Sequence, residues 1–397
     1  MIRTFWLDGG GARPWSGRRS IIGILGDEDV SLTYSVGQGV ARHSGGRSTV
    51  VGDDIFDVLE QEVARDDGDP DVHWVGYLGY ACRADLPARP AAGVPDAVWM
   101  RVRQPMMTEH ELLTSVVEVH AERASKPPRP YVEAFERVQE ALHGGYSYEV
   151  NLTYRETVLS DLDPESAYLR LRASNPAPYA GFLQHGDVAL LSSSPERYAT
   201  VDRHRWLETK PIKGTTQRGK TQEEDRARQA ELAQDPRFRA ENLMIVDLLR
   251  NDLSEVCQVG TVTVPSLMRV ESYSSVHQLV STVRGHLRGD VTTIGALRAL
   301  FPAGSMTGAP KLQTMRIIEE IEETPRGIYA GAFGWISADG RADLGVVIRS
   351  LVATAEGGRW RYEYGTGGGI TVQSDVDSEY AETRWKAERL RGAVRTH

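Results

Sequence analysis

Glu379, Glu382 and Lys386 lie three, four and seven residues apart near the end of the chain. On a helix these spacings put all three on one face. Such a face either is solvated and carries a Glu-to-Lys pair, or offers two carboxylates to a hard cation with an ammonium beside them for an anion. Mg²⁺ takes one or two protein carboxylates and completes its shell with water and substrate oxygens. A third carboxylate, Glu241, opens the helical pattern ENLMIVDLLRND, where the helix dipole alone would also favour an acid. Lys213 stands in TKPIKGT between Ile212 and Gly214-Thr215. Desolvation there would lower its pKa and free a nucleophilic amine, and bound carboxylates would raise it; a turn lysine reaching for water is the plain alternative. Glu196, in SSSPERY, follows a strand pattern. Partly buried, it could stay protonated and act as a general acid; exposed, it would form an ion pair. The run Gly365-Thr366-Gly367-Gly368-Gly369-Ile370 ends a strand pattern. Its bare backbone N–H groups can approach a carboxylate, or the glycines can simply form a bulge or tight bend.

Two superficially similar motifs fail on their spacing. Asp375, Asp377 and Glu379 start like a calcium loop, but Tyr380 and Lys386 occupy the places of its required Gly and Glu. Gly304 to Lys311 (GSMTGAPK) has the glycines of a phosphate loop, but Ala309 and Pro310 interrupt the needed Gly-Lys-Ser/Thr. It reads instead as a loop entering a helix at Pro310.

The elements that must position these residues fit an ordinary globular chain. The sequence has 397 residues, 40% of them hydrophobic and 25% charged, enough for a large core and two or three domains. Net charge is −9, from 46 basic and 55 acidic residues, which argues against a general nucleic-acid binder. Cys82 and Cys257 form no disulfide framework or zinc spacing and fit a reducing cytoplasm. Met1 to Gly10 lack the pattern of a secretory leader, and no apolar run is long enough for a membrane span. Prolines 127, 128 and 130 mark a linker between an N-terminal α/β region (1–125) and a second domain (131–392). Strand patterns are expected at 19–25, 73–80, 112–119, 146–158, 188–191, 261–271, 275–286, 328–337, 342–353 and 360–365. Helices are expected at 55–64, 131–143, 164–173, 221–233, 240–251, 292–300, 309–322 and 378–391. Long strands in adjacent runs joined by short turns favour large antiparallel sheets with helices packed outside, an α+β fold.

Taken in order, SYEVNLTYR, SSSPERY, TKPIKGT, ENLMIVDLLRNDL, FPAGSMTGAPK, RGIYAGAFGW, ADLGVVIRS, GTGGGI and SEYAETRWKAE resemble the chorismate-utilising enzymes over residues 131–392. WVGYLGYA near the N-terminus resembles the amine-transferring branch of that family. The lysine of PIKGT resembles the aminodeoxychorismate synthases, whose product leads to para-aminobenzoate and folate; the anthranilate synthases typically have Ala at that position. The resemblance implies an anthranilate synthase component I-like fold and Mg²⁺-dependent amination of chorismate at C4. Lys213 would add to C2, with Glu196 protonating the departing C4 oxygen. Glu241, Glu379 and Glu382 would hold Mg²⁺. Gly214, Thr215, the backbone of Gly367, Gly368 and Gly369, and Lys386 would surround the ring carboxylate. Tyr329 and Arg349 would hold the enolpyruvyl carboxylate, and His277 would lie near the ring, unless it is simply a hydrogen-bonded strand histidine. Two positions depart from the pattern: Lys210 stands where many relatives have Arg, and Glu149 where aminating relatives have Gln and water-using relatives Lys. Neither cysteine sits in a G-x-C-x-G elbow, so ammonia is expected either free or from a separate glutamine amidotransferase subunit. The alternatives are an anthranilate synthase component I, which aminates at C2 and eliminates pyruvate, and a non-catalytic chorismate or tryptophan sensor.

Overall fold

The computed structural model describes residues 1–11, 16, 19–110, 126–273 and 276–395. Among the described residues two antiparallel sheets, of nine and twelve strands, are joined by one apolar layer. Phe5, Leu7, Leu183 and Leu190 of the nine-stranded sheet meet Val75, Tyr77, Val98 and Phe333 of the twelve-stranded sheet in that layer. Helices cover the other faces. Ile55–Ala64, Pro236–Val256 and Thr293–Leu300 share a buried cluster with Trp74, Trp99 and Leu207 of the larger sheet. Pro164–Ser174 and Val376–Val394 share another with Leu191, Leu351 and Tyr362 of the smaller one. This is the antiparallel α+β architecture that the adjacent strand runs imply.

The first part of the chain enters both sheets. Arg3–Asp8 pairs with Tyr179–His185, and Val72–Leu78 pairs with Ala332–Ser337. The expected strand at 112–119 lies outside the described residues.

Three expectations are corrected, each for a physical reason. The run 342–353 is two strands in different sheets, not one. Ala342–Val346 pairs within the larger sheet and Ser350–Glu356 within the smaller. Val347 to Arg349 make the crossing, and Arg349 takes a left-handed backbone at φ 48°. The glycines of GTGGGI do not end their strand. Arg359–Ile370 runs through them, with Gly365 to Ile370 paired to Arg155 back to Val150. The helix expected from residue 240 starts at Pro236, capped by Asp235, whose carboxylate accepts from the N–H groups of Arg237 (2.8 Å) and Phe238 (3.1 Å). Glu241 is therefore more than a turn inside the helix, past the reach of the dipole invoked for it.

Candidate active site

Two of the chain's crossings between the sheets lie side by side, and both supply site residues. After Val188–Ser194 in the smaller sheet, Pro195 and Glu196 lead into Arg197–Val201 in the larger. The 347–349 crossing runs beside it. Val346 N–H donates to the Glu196 carbonyl (3.0 Å), and Ser193 N–H donates to the Arg349 carbonyl (3.2 Å). Sheet pairing stops where the strands diverge, which leaves room for side chains. A cavity opens there, partly open to solvent, with a free volume of about 120 Å³.

Glu196, Lys213, Gly214, Thr215, Glu241, Tyr329, Arg349, Gly367, Gly368, Gly369, Glu379, Glu382 and Lys386 all line this one cavity. They come from segments almost 200 residues apart, so the fold, not local sequence, gathers them. Glu379, Glu382 and Lys386 share one face of Val376–Val394, as their spacing requires. His277 does not line the cavity. Its ring is held by Ser272 Oγ at Nδ1 (2.8 Å) and Asp225 at Nε2 (2.9 Å). The adjacent residue, Gln278, lines the cavity instead, because consecutive strand side chains face opposite ways.

Burial sets the electrostatics. Glu196 is 5% exposed; burial pushes its carboxyl up to about 7, against a hydrogen bond from Ser305 Oγ (2.6 Å) and the charge of Lys213, which pull it down. Glu241 is also pushed up to about 7, mainly by burial, with the Glu149 charge adding and Lys213 and Arg237 opposing. Burial and the neighbouring Glu382 raise Glu379. Burial would raise Glu382 as well, but Lys386, 2.9 Å away, outweighs it and the net shift is downward. For Lys213 burial pulls down, yet the charges of Glu149 and Glu241 prevail and the net shift is upward. Its ammonium donates to Glu149 Oε1. Burial lowers Arg349 to about 10, so it still carries its charge at neutral pH.

The glycines work through the space they leave. At Gly365 a Cβ would sit 2.3 Å from Cγ of Tyr329, whose ring lies against the bare strand. At Gly369 it would sit 2.2 Å from Glu149 Oε1 and 3.0 Å from Lys213 Nζ. At Gly368 it would come within 3.4 Å of Glu379 Oε2 and 3.7 Å of Lys386 Nζ. Lys386 also donates to the Gly367 carbonyl (2.9 Å). Gly214 holds φ +88°, and a side chain there would meet the Phe238 ring at 2.8 Å.

Several lining residues escaped sequence reasoning. Arg237 reaches Glu241 (3.2 Å) and Glu379 (3.1 Å), tying two helices together. Its signal was the four-residue spacing to Glu241. Asn151 lines the cavity from Glu149–Ser160, two residues beyond the buried Glu149, which is not itself part of the lining; polar residues at period two in the strand pattern were the signal there. Ser305 lies in the glycine-rich loop read only as a helix approach, and nothing in its spacing sets it apart.

The cavity combines a lysine amine, a carboxyl able to hold a proton near neutrality, a cluster of carboxylates and three further cations, Arg237, Arg349 and Lys386, on its walls. Such a set suits a small dianion that loses a hydroxyl. Residues 109–392 match the family of chorismate binding enzymes, and the chain belongs to that family. It is 38% identical to an aminodeoxychorismate synthase from Streptomyces pristinaespiralis, covering 98% of this chain and 62% of that protein. It is also 38% identical to aminodeoxychorismate synthase component 1 from Klebsiella aerogenes, covering 87% of this chain and 76% of the relative. Among solved structures it is similar to anthranilate synthase component I from Streptococcus pneumoniae. The TM-score is 0.77 at 26% identity, over 96% of this chain and 93% of that one. The chain spans about six-tenths of the length of its Streptomyces relatives.

Proposed function

We propose that this chain aminates chorismate at C4, giving 4-amino-4-deoxychorismate, with ammonia as the nitrogen donor. The observation that carries the reading is Lys213, a buried amine in the same cavity as Glu196. The anthranilate branch typically has Ala at that position.

The steps balance without a redox partner. The free amine of Lys213 adds to C2 of the ring. The two ring double bonds shift, and the C4–O bond breaks. The departing hydroxide takes the proton of Glu196 and leaves as water. Ammonia then adds at C4, the double bonds shift back, and the C2–N bond to Lys213 breaks. A carboxyl with its pKa near 7 can supply the proton at neutral pH. Arg349, kept charged and 5.6 Å from the Trp385 ring, suits a bidentate grip on the enolpyruvyl carboxylate, with Tyr329 beside it. Lys386 and the backbone at Gly367 to Gly369 suit the ring carboxylate.

Glu241, Glu379 and Glu382 would hold Mg²⁺. They are oxygen donors, as a hard cation requires, and Glu379 Oε1, buried and without a hydrogen bond, is held by an ion pair with Arg237 (3.1 Å) that a bound cation would share or displace. Among the described residues no group of three or more carboxylate, histidine or cysteine side chains is placed to hold a metal ion, so these three glutamates would have to close on the cation together with water and substrate oxygens. When bound, Mg²⁺ would neutralise the ring carboxylate and polarise the substrate.

The nitrogen would come as free ammonia or from a glutamine amidotransferase partner. Cys82 and Cys257 are both buried free thiols. Burial raises the first well above its usual value and the second to about 11, so neither is a ready thiolate. The test is incubation with chorismate, Mg²⁺ and ammonium at alkaline pH, followed by product identification by mass spectrometry. The expected product is chorismate with its C4 hydroxyl replaced by an amino group. Anthranilate as the main product would defeat the C4 assignment, and isochorismate or salicylate would point to water as the nucleophile.

A further inference from the structure

Glu149 is the first residue of the strand Glu149–Ser160 and is completely buried. Its Oε1 accepts from the Lys213 ammonium, and its Oε2 is buried with no hydrogen-bond partner. No other side-chain donor among the described residues hydrogen-bonds this carboxylate. The contact is made possible by Gly369, across which any Cβ would strike both groups. A purely structural carboxylate at 0% exposure normally has both oxygens satisfied. This one is aimed at a single atom, the nitrogen assigned the nucleophilic role.

We propose that Glu149 is the base that removes the proton from Lys213, releasing the amine for attack inside the buried pair instead of by proton loss to solvent. The inference rests on the amination reading given above, which assigns the attack to Lys213. The nitrogen cannot form a bond to carbon while it is an ammonium. Transfer of one proton from Nζ to Oε1 converts a buried ion pair into two neutral groups; burial favours that form, and the Glu149 and Glu241 charges oppose it. The lone pair of Nζ then adds to C2, and Glu196 protonates the departing oxygen. When ammonia displaces Lys213 the amine leaves neutral and recovers its proton from Glu149. The new C4 ammonium reprotonates Glu196. Chorismate plus ammonia becomes product plus water, and both carboxyl groups return to their starting state.

Other charges surround the pair without replacing Glu149. Glu241 and Arg237 face the cavity from Pro236–Val256, Glu379, Glu382 and Lys386 from Val376–Val394, and Glu196 from the crossing. None of them is hydrogen-bonded to Lys213 Nζ among the described residues.

The test compares the wild-type chain with Glu149→Gln, a substitution close in shape that restores the residue found in aminating relatives. Amination is measured from about pH 6 to pH 8, and the variant-to-wild-type ratio is taken at each pH so that the ammonia–ammonium equilibrium cancels. An internal transfer leaves the free-amine fraction of the wild type nearly independent of pH. Lys213 of the variant must instead lose its proton to solvent, so the ratio should climb by up to about tenfold per pH unit. A ratio that stays flat over the range would overturn the proposal, since a packing role moves rates but not their pH slope. Lys213 acetylation by acetic anhydride, read by peptide mass spectrometry without chorismate, gives a second readout. A shallow pH dependence in the wild type and a steep one in Glu149→Gln supports the proton transfer even if amination fails. Equal slopes in a chain that does aminate chorismate refute Glu149 and leave the amination reading standing.

Discussion

Gly369→Ala puts one methyl group at the most crowded point of the site. The backbone there is ordinary extended strand, so the substitution is opposed by space and not by conformation. The new Cβ would lie 2.2 Å from Glu149 Oε1 and 3.0 Å from Lys213 Nζ. Neither neighbour can yield easily. Glu149 is 0% exposed, and Gly369 is fixed by pairing with Asn151. Overpacking of this kind costs about 1–3 kcal/mol. For a chain this long that corresponds to a fall in Tm of about 1–4 °C. The larger effect should be on turnover, because a displacement of about 1 Å in a reacting group can cost about 100-fold. Thermal unfolding followed by circular dichroism and a chorismate-consumption assay read the two effects separately. Gly392→Ala is the control: it lies in the helix Val376–Val394 with nothing within 4 Å of its added Cβ, and should gain up to about 1 kcal/mol in stability with full activity. Activity of Gly369→Ala within about twofold of wild type, with Tm unchanged, would refute the claim that this glycine makes room for the Glu149–Lys213 pair.

Other consequences are equally direct. Glu196 must be protonated to act, so turnover at a fixed concentration of free ammonia should fall as pH rises through about 7, and Ser305→Ala, which removes a hydrogen bond that lowers this carboxyl, should move the falling limb to higher pH; a pH–rate profile at constant free ammonia decides. Glu241 is held near 7 against 4.5 for a free side chain, so its folded form favours the proton and the stability this lends is lost as pH rises from about 4.5 through about 7. Glu241→Gln should therefore raise Tm at about pH 8 in metal-free buffer and leave it nearly unchanged at about pH 4, while abolishing turnover. Chelation of divalent ions should suppress amination, with Mg²⁺ restoring it, and Glu382→Ala should raise the Mg²⁺ concentration needed; activity indifferent to chelator would remove the metal from the account. Glu322 lies between the buried guanidinium groups of Arg155 and Arg326 (both 2.7 Å), and Arg326 in turn donates to the Asn151 carbonyl (2.8 Å). Glu322→Ala would strand two buried cations at a cost of about 3–5 kcal/mol, read as a lower midpoint in urea unfolding.

How much of this was legible in the sequence varies with the physics of each feature. Helices with apolar residues at helical spacing, such as Ile55–Ala64 and Pro164–Ser174, were found nearly to the residue, because amphipathic period and caps are local signals. The helix face carrying Glu379, Glu382 and Lys386 followed from spacing alone. The break at 347–349 was hidden because the run Leu344 to Ala353 is mostly apolar, and a change of sheet leaves no mark in a mostly hydrophobic run. No strand is expected from the sequence at Trp206–Lys210 or Ile212–Gln217, where Pro211 stands between the two. The convergence of residues 149, 196, 213, 241, 329, 349 and 379–386 on one cavity was legible only through family resemblance; pairwise distance across the fold is not written in local sequence. Glu149 was visible as a departure from its relatives, but its contact with Lys213 was not.

The central claim is that the Lys213 amine bonds transiently to the ring. Mixing the protein with chorismate and Mg²⁺ in the absence of ammonium, quenching rapidly in acid and mapping peptides by mass spectrometry tests it most directly. The account predicts a peptide carrying chorismate less one water on Lys213, missing from Lys213→Ala. A Lys213→Ala protein that still aminates chorismate at C4 at the wild-type rate, with no such adduct in either protein, would contradict it.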